Sequence, residues 1–243
     1  INDSNPVKVA LIGAGKFGSM FLSQVPSTLG IEVLVIADLK PDNAVKACKN
    51  VGWSDDLINK TKFVDRGADA IKLNEVEVVI EATGFPAAGI EHARQAFQNG
   101  KHIIMVNVEA DVLAGAALVK EANSAGVVYS MAYGDQPALT AEIVEWARAS
   151  GFNVTSAGKG TRYQPIYHKS SPDTVWDYYG LTHEEAKKAG MNPKMFNSFL
   201  DGTKSGLEMA AIANACDLDV PTNGLLFPPC GMDDLANVLK PIK

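Results

Sequence analysis

Four polar side chains recur with helical spacing in residues 197–209, whose sequence is NSFLDGTKSGLEM. They are Asn197, Asp201, Lys204 and Glu208. At about 100° per residue, this spacing places all four on one stripe of a helix. A lysine beside carboxylates can move a proton at a substrate hydroxyl, and carboxylates can also bind a cation. A solvated helix face with a Lys–Glu pair four residues apart explains the stripe without chemistry.

Two glycines lie in the same stretch, which we predict to be one continuous helix beginning near Pro193. Gly202 and Gly206 each cost roughly 0.5–1 kcal/mol of helix propensity relative to alanine. A solvated surface helix gives no reason for this cost. We therefore expect the glycines to let another backbone pack closely against the helix.

A second basic residue, Lys159, lies between two glycines in the run SAGKGTRY, residues 156–163. It follows a segment at 152–158 that is predicted to be a strand. With little bulk around it, Lys159 is a catalytic candidate that could reach a substrate hydroxyl or phosphate, as could Arg162. Glycine-flanked basic residues also occur in exposed turns, which is the alternative.

Glycines in G-x-G-x-x-G spacing follow the first apolar run of the chain. Gly13 permits a tight turn, Gly15 lets the backbone approach a pyrophosphate, and Gly18 lets the next helix pack closely. The amides of that helix N-terminus, which include Lys16 and Phe17, would then face the phosphates. Because the motif comes directly after a predicted strand and opens a predicted helix, it indicates a dinucleotide site.

The acidic residue expected of such a site is Asp38, at the end of the predicted strand 31–38 and 20 residues after Gly18. A carboxylate there accepts hydrogen bonds from ribose hydroxyls and repels a 2'-phosphate, which favours NAD. Lys40 lies close enough to bind a phosphate. NADP therefore remains open beside NAD.

The ends of two later predicted strands provide further cofactor candidates. In open α/β sheets the ligand lies beyond the carboxyl ends of the strands. This rule applies to Ala82, Thr83 and Gly84, and again to Asn107 and Glu109, which we expect near the ribose or the nicotinamide. For Glu109 there is an equal alternative, because an acid in the first turn of a helix stabilises that helix.

Alternating apolar runs and helical patterns must position these residues. We predict strands at 7–12, 31–38, 77–83, 101–107 and 126–132, separated by helices at 16–28, 86–99, 109–125 and 137–150. Continuous apolar strands of this kind are typical of a parallel sheet that is covered on both faces. The fold class predicted is α/β, a Rossmann-type doubly wound sheet in residues 1–150. Residues 151–243 are predicted to form a second α+β domain.

Composition limits the partners. The chain has 243 residues, a net charge of −6 and no dense Lys/Arg block, so nucleic acid is not expected as a ligand. No apolar run reaches the roughly 18 residues that span a bilayer. Three widely spaced cysteines fit neither a disulfide framework nor a thiolate metal site. A cytoplasmic protein with a small-molecule substrate is the expectation.

Several runs together resemble the homoserine-dehydrogenase-like oxidoreductases that carry a C-terminal SAF domain, a family that includes a 1-deoxy-D-xylulose 5-phosphate reductoisomerase-like enzyme of isoprenoid biosynthesis. The runs are GAGKFG, EATGFPAAGIEHA, MVNVEADVLAG, AYGDQPAL, AGKGTRY and GMNPKMFNSFLDGTKSGLEMA. The resemblance covers nearly the whole chain, apart from the SAF-like part, which is not found in it. It implies a nicotinamide cofactor, a catalytic and oligomerisation domain, and a homo-oligomer.

The resemblance also assigns roles to residues. It makes Lys204 and Lys159 the leading catalytic candidates, and Asp201 and Glu208 orienting groups or metal ligands. Asn197 would face the same substrate pocket. Asn107 and Glu109 resemble the ends of an Asn-Lys-Glu run in related reductases, but Val108 replaces its lysine.

Three hypotheses of function follow. The first is an NAD(P)-dependent oxidoreductase or reductoisomerase acting on a small polyhydroxylated substrate, which could be phosphorylated. If a rearrangement precedes reduction, Mg²⁺ or Mn²⁺ held by Glu109, Asp201 or Glu208 would polarise the substrate oxygens. The second is a homoserine-dehydrogenase-like or sugar-acid dehydrogenase without rearrangement. The third is a dinucleotide-binding regulator without catalysis.

Overall fold

The computed structural model describes residues 5–224 and 226–240. The chain divides into two compact units, Ile1–Tyr133 and Gly134–Lys243. The sequence favoured a boundary near residue 150. The division observed lies earlier, so the helix Gln136–Ala149 belongs to the second unit.

A parallel sheet forms the centre of the first unit, as predicted. Its described strands follow the order β3-β2-β1-β4-β5-β6, and each neighbouring pair is parallel. The strands are β1 Val7–Ile12, β2 Ile31–Ala37, β3 Lys62–Val64, β4 Val78–Glu81, β5 His102–Met105 and β6 Tyr129–Met131. The sequence did not predict β3, which has only three residues and only two apolar ones.

Helices connect these strands and cover the sheet. They are α1 Lys16–Gln24, α2 Pro41–Asn50, α3 Asp55–Lys60, α4 Gly67–Ile71, α5 Pro86–Gln98 and α6 Val108–Ala125. The helix predicted at 16–28 ends early, because Pro26 lies in a separate 3-10 turn, Val25–Ser27. The sheet has an apolar cluster on each face. Neighbouring residues of β4 show the alternation, since Val79 lies in one cluster and Ile80 in the other.

The described part of the second unit consists of helices and loops. Its helices are α7 Gln136–Ala149, α8 Val175–Tyr179, α9 His183–Lys188, α10 Pro193–Leu200, α11 Thr203–Cys216 and α12 Leu235–Val238, with 3-10 turns at Pro165–Lys169 and Met232–Asp234. The strand predicted at 152–158 is wrong. Val154 and Ala157 pack against helix residues such as Val144 and Ile212 instead of joining a sheet.

The single helix predicted from Pro193 is also wrong, because α10 and α11 are separated at Asp201–Gly202. Gly202 has φ +90°, a left-handed conformation that glycine adopts without strain. No described atom lies within 4 Å of a Cβ placed on Gly206, so close packing does not explain that glycine either. Gly202 is needed for the break, and the structure shows no packing role for Gly206.

No helix within residues 5–224 and 226–240 combines the length and the apolar character that crossing a membrane requires.

A buried acid in α6 makes the stability of the first unit depend on pH. Asp111 is 8% exposed and accepts a hydrogen bond of 2.8 Å from the Tyr129 hydroxyl. Burial raises the pKa of the Asp111 carboxyl above 3.8, and the hydrogen bond from Tyr129 opposes part of this rise. The folded state therefore binds the proton more tightly than the unfolded state, and stability falls as pH rises through the raised pKa.

We predict that Asp111→Asn removes this penalty while its amide oxygen still accepts from Tyr129. At pH 7 the free energy of unfolding of the first unit should rise by on the order of 1 kcal/mol, and the difference should shrink near pH 4. Urea denaturation at the two pH values measures both. A variant that is less stable than the wild type at pH 7 would contradict the prediction.

Candidate cofactor and substrate sites

Close backbone packing shapes the turn between β1 and α1. Gly13 has φ +98°, and a Cβ on it would lie 2.7 Å from the Ala82 carbonyl oxygen. A Cβ on Gly18 would lie 2.4 Å from the Gly13 carbonyl oxygen. Both glycines are therefore required by contacts inside the protein, as predicted for the first and third positions of the motif.

The middle glycine differs, because the space around it is open. No described atom lies within 4 Å of a Cβ placed on Gly15, which is the N-cap residue of α1. Within the described residues no side chain caps this helix, and Lys16 and Phe17 are exposed beside it. An open glycine at an uncapped helix N-terminus fits a pyrophosphate, since the backbone amides and the helix dipole favour an anion.

Asp38 lies directly beside this turn and is held by backbone amides. One carboxylate oxygen accepts from the amide of Ala14 at 3.1 Å, and the other accepts from the amide of Lys40 at 3.0 Å. Each oxygen keeps a second acceptor site, which suits a ribose hydroxyl. Glycine turn, helix terminus and carboxylate together fit the adenosine-diphosphate half of NAD(P).

The ends of β4 and β5 come together through Asn107. Its amide nitrogen donates to the Phe85 carbonyl at 3.0 Å and to the Thr83 hydroxyl at 3.4 Å, while its amide oxygen caps α6 by accepting from the amide of Ala110. Asn107 is 2% exposed, and its bonds to Thr83 and Phe85 hold the loop after β4 in place. Gly84, in that loop, has φ +68°.

The first turn of α6 follows Asn107. Glu109 lies there, where an acidic side chain stabilises a helix. Its contact with the cofactor stays a prediction. Val108, at the position of the lysine in the Asn-Lys-Glu run, is buried and apolar, so it cannot transfer a proton.

In the second unit, two lysines face one buried carboxylate. Glu208, on α11, is 3% exposed and forms an ion pair with Lys159. Its other oxygen lies 3.7 Å from the ammonium of Lys204, one turn earlier on α11. Lys159 also donates to the Gln136 side-chain oxygen at 2.6 Å. Lys159, Lys204 and Glu208, which we call the Lys–Glu–Lys cluster, therefore lie together.

A pocket of about 190 Å³ opens at this cluster. Its lining residues are Gln136, Lys159, Thr161, Phe199, Lys204, Ser205 and Glu208. Four of these residues were not predicted from the sequence as part of the site: Gln136, Thr161, Phe199 and Ser205. Thr161 lies two residues after Lys159 and Ser205 directly follows Lys204, so proximity to the candidate lysines was the available signal for those two. Two ammonium groups and one carboxylate leave a net positive charge, which suits a polar or anionic ligand.

The other two residues of the predicted stripe, Asn197 and Asp201, bond to each other near the break between α10 and α11. Asn197 donates to one Asp201 carboxylate oxygen at 2.9 Å, and the other oxygen accepts from the Thr203 amide at 2.8 Å. These bonds stabilise the break between α10 and α11. Neither residue lines the pocket, because the break at Gly202 ends the common stripe.

A metal site is not supported by these contacts. No group of three His, Cys, Asp or Glu side chains that could hold an ion occurs among the described residues. The oxygens of Glu208 face ammonium groups, and those of Asp201 face an amide side chain and a backbone amide. Glu109 belongs to the first unit.

Two family models match the chain, one for each unit. Residues 13–132 match the model described as homoserine dehydrogenase, NAD binding domain, and residues 134–243 match that described as oxidoreductase DRL, catalytic domain. The first unit thus resembles an NAD-binding domain and the second the catalytic domain of an oxidoreductase. The two matches meet where the chain divides into its two units. A comparison with curated proteins finds no match.

A solved structure with a similar fold is a homoserine dehydrogenase from Thiobacillus denitrificans, which is 17% identical with a TM-score of 0.60, over 89% of this chain and 50% of that chain. A myo-inositol dehydrogenase from Lactobacillus casei, solved with NAD(H) and myo-inositol, is 17% identical with a TM-score of 0.48, over 70% of this chain and 50% of that chain. The chain thus spans half the length of these two proteins.

The glycine turn predicts that one substitution can weaken cofactor binding without changing stability, while another lowers stability. In Gly15→Ala the added methyl enters open space, so the melting temperature should be unchanged. The same methyl would obstruct the pyrophosphate, and the Kd for NADH, measured by fluorescence titration, should rise at least about tenfold. Gly18→Ala is the contrasting variant, because its methyl meets backbone and should lower the melting temperature. A folded Gly15→Ala protein with wild-type NADH affinity would refute this assignment.

Proposed function

We propose that the protein is an oxidoreductase that transfers a hydride between NAD(P) and a substrate carbon that carries a hydroxyl or carbonyl group. The proposed substrate is small and polyhydroxylated. The observation that carries the proposal is the Lys–Glu–Lys cluster in the pocket of the second unit. Ammonium groups held around a buried carboxylate are suited to moving the hydroxyl proton that accompanies hydride transfer.

The contacts of the two lysines differ, which suggests different roles. Lys159 is held by both Glu208 and Gln136, and it is suited to orienting a substrate oxygen. Lys204 has only the longer ion pair of 3.7 Å with Glu208 among the contacts of the described residues. Its ammonium has protons left for a substrate, so we assign the proton transfer to Lys204.

The first unit would bind the cofactor, which supplies or accepts the hydride at its nicotinamide ring. Gly15 and the N-terminus of α1 would hold the pyrophosphate, with Lys16 and Phe17 beside it. The Asp38 carboxylate would accept hydrogen bonds from the hydroxyls of the adenosine ribose. Ala82, Thr83 and Gly84 directly follow the central strand β4 and are assigned to the nicotinamide half, because ligands of such sheets lie beyond the strand ends.

The chemistry of the pocket suits a substrate with several oxygens. Thr161, Ser205 and Gln136 add hydroxyl and amide groups to the cluster, and its net positive charge suits a carboxylate or phosphate. Sugar acids and sugar phosphates are the classes proposed. A homo-oligomer and a cytoplasmic location remain predictions from the sequence.

The sequence resemblance extends this proposal to a reductoisomerase, in which a skeletal rearrangement precedes hydride transfer. The contacts of Asp201 and Glu208 favour the simpler reaction without a metal. Turnover in the presence of EDTA separates the two, because the rearranging enzyme would need a divalent ion while a lysine-based dehydrogenase would not.

Lys204→Ala tests the proton transfer. Turnover should fall about 10²- to 10⁴-fold, because the general acid–base group is lost. The Kd for NADH should be unchanged, since the cofactor residues lie in the first unit. The assay is a screen of polyols, sugar acids and their phosphates, followed by nicotinamide absorbance.

Lys194→Ala is the matched control, because Lys194 is an exposed lysine of the neighbouring helix α10. It should retain wild-type turnover. If Lys204→Ala turns over as fast as the wild type, the catalytic reading is wrong. If the wild type binds NADH but no compound in the screen is converted, a dinucleotide-binding regulator becomes the better description.

Asp38 predicts a preference for NAD over NADP, because its carboxylate repels a 2'-phosphate. Asp38→Asn removes the charge and should shift the ratio of the two dissociation constants towards NADPH by about tenfold or more. Calorimetric titration with NADH and NADPH measures the ratio. An unchanged ratio would place the adenosine ribose away from Asp38.

A further inference from the structure

A fully buried carboxylate lies at the end of the central strand β4. Glu81 is 0% exposed and occupies the same sheet face as Val79, which belongs to an apolar cluster. Burying a carboxylate among apolar groups is costly unless hydrogen bonds compensate. The reaction proposed above makes no use of Glu81, so its presence needs another reason.

Two side chains share one oxygen of Glu81. The Thr83 hydroxyl donates to Oε1 at 2.5 Å, and Nδ1 of His92 lies 3.3 Å from the same atom. The other oxygen, Oε2, has no hydrogen-bond partner among the described residues. The His92 ring is itself confined, because a Cβ on Gly67 of α4 would lie 2.4 Å from its Nε2. His92 therefore holds the carboxylate towards Thr83.

The bond to Glu81 sets the orientation of the Thr83 hydroxyl. A hydroxyl has one proton to donate, and Thr83 donates it to Oε1 of Glu81. With its proton directed at Glu81, Thr83 accepts from the Phe85 amide at 3.3 Å and from the Asn107 side chain at 3.4 Å. Glu81 thereby orders the loop after β4.

This loop is tied to the glycine turn. The Ala82 amide donates to the Ile12 carbonyl at 2.8 Å, and a Cβ on Gly13 would collide with Ala82. Thr83 is exposed next to this contact, so the hydrogen bonds lead from a buried acid to the surface where the cofactor is expected.

We propose that Glu81 is a positioning residue for the nicotinamide half of the cofactor, acting through the Thr83 hydroxyl. This inference rests on the proposed function, specifically on the cofactor site in the first unit. Glu81 would not touch the cofactor. Its bond would keep the Thr83 side chain and the loop after β4 in the conformation that receives the nicotinamide ribose.

Glu81→Gln tests the proposal by direct binding, with NADH and ADP as the two probes. ADP lacks the nicotinamide ribose and ring, and its binding depends on Gly15, α1 and Asp38. The Kd for NADH should rise about tenfold, while that for ADP should stay within about twofold. A purely structural role for Glu81 predicts a lower melting temperature and equal weakening of both ligands.

Thr83 provides variants that leave the buried acid in place. Thr83→Val removes the hydroxyl and keeps the shape, so it should show the same selective loss of NADH affinity, and Thr83→Ser should restore it. Glu121→Gln is the matched control, because Glu121 is an exposed acid paired with Arg94, and both affinities should remain unchanged.

Equal weakening of both probes in Glu81→Gln and Thr83→Val, or no weakening in either, would overturn the proposal. Since these measurements need no turnover, they are separate from the substrate screen. A wild type that binds NADH but converts no substrate contradicts the proposed function and leaves the Glu81 result readable.

Discussion

The close approach of Gly13 to Ala82 is the contact on which the first unit depends. The turn after β1 and the end of β4 come so near that a side chain on Gly13 would collide with the Ala82 backbone. Backbone hydrogen bonds from β1 to β4 fix the distance. The contact brings the glycine turn and the loop after β4 to one edge of the sheet. Asp38, Thr83 and Asn107 all take their positions from strands that neighbour this contact.

Buried carboxylates recur in both units, and their environments differ in an informative way. Glu208 is surrounded by ammonium groups, which compensate its charge directly. Within the part of the chain that the structure describes, the partner of Asp111 is a hydroxyl and those of Glu81 are a hydroxyl and an imidazole. Replacing buried charged groups with apolar residues of similar volume is often neutral or stabilising, so stability alone does not account for these two acids. Each of them does orient the side chain that donates to it.

Local signals in the sequence were sufficient to predict most strands of the sheet. Continuous Val/Ile runs predicted five of the strands, and the glycine spacing predicted the turn that α1 follows. Short elements escaped, because β3, α3 and α4 have only three, six and five residues. The helix α2 was missed as well, although it has ten residues. The run at 152–158 has the composition of a strand, but its apolar side chains pack on helices, and composition does not reveal the packing partner.

The candidate substrate site was predicted in part, for a similar reason. Helical periodicity placed Lys204 and Glu208 one turn apart, which holds in α11. The same periodicity failed for Asn197 and Asp201, because a positive φ at Gly202 resets the helix. The pairing of Lys159 with Glu208 is a contact between residues far apart in sequence, and the residues alone carried no signal for it.

The fixed carboxylate of Asp38 lowers the conformational-entropy cost of binding a ribose. Both of its oxygens are already held by main-chain amides, from Ala14 and Lys40, without a ligand. Its rotamer is therefore set in advance, and binding a ribose would not freeze a mobile side chain. That saving in conformational entropy, up to about 1 kcal/mol for an ordered side chain, is a form of preorganisation built from the backbone. A nucleoside would therefore bind to two Asp38 oxygens that are already held in place.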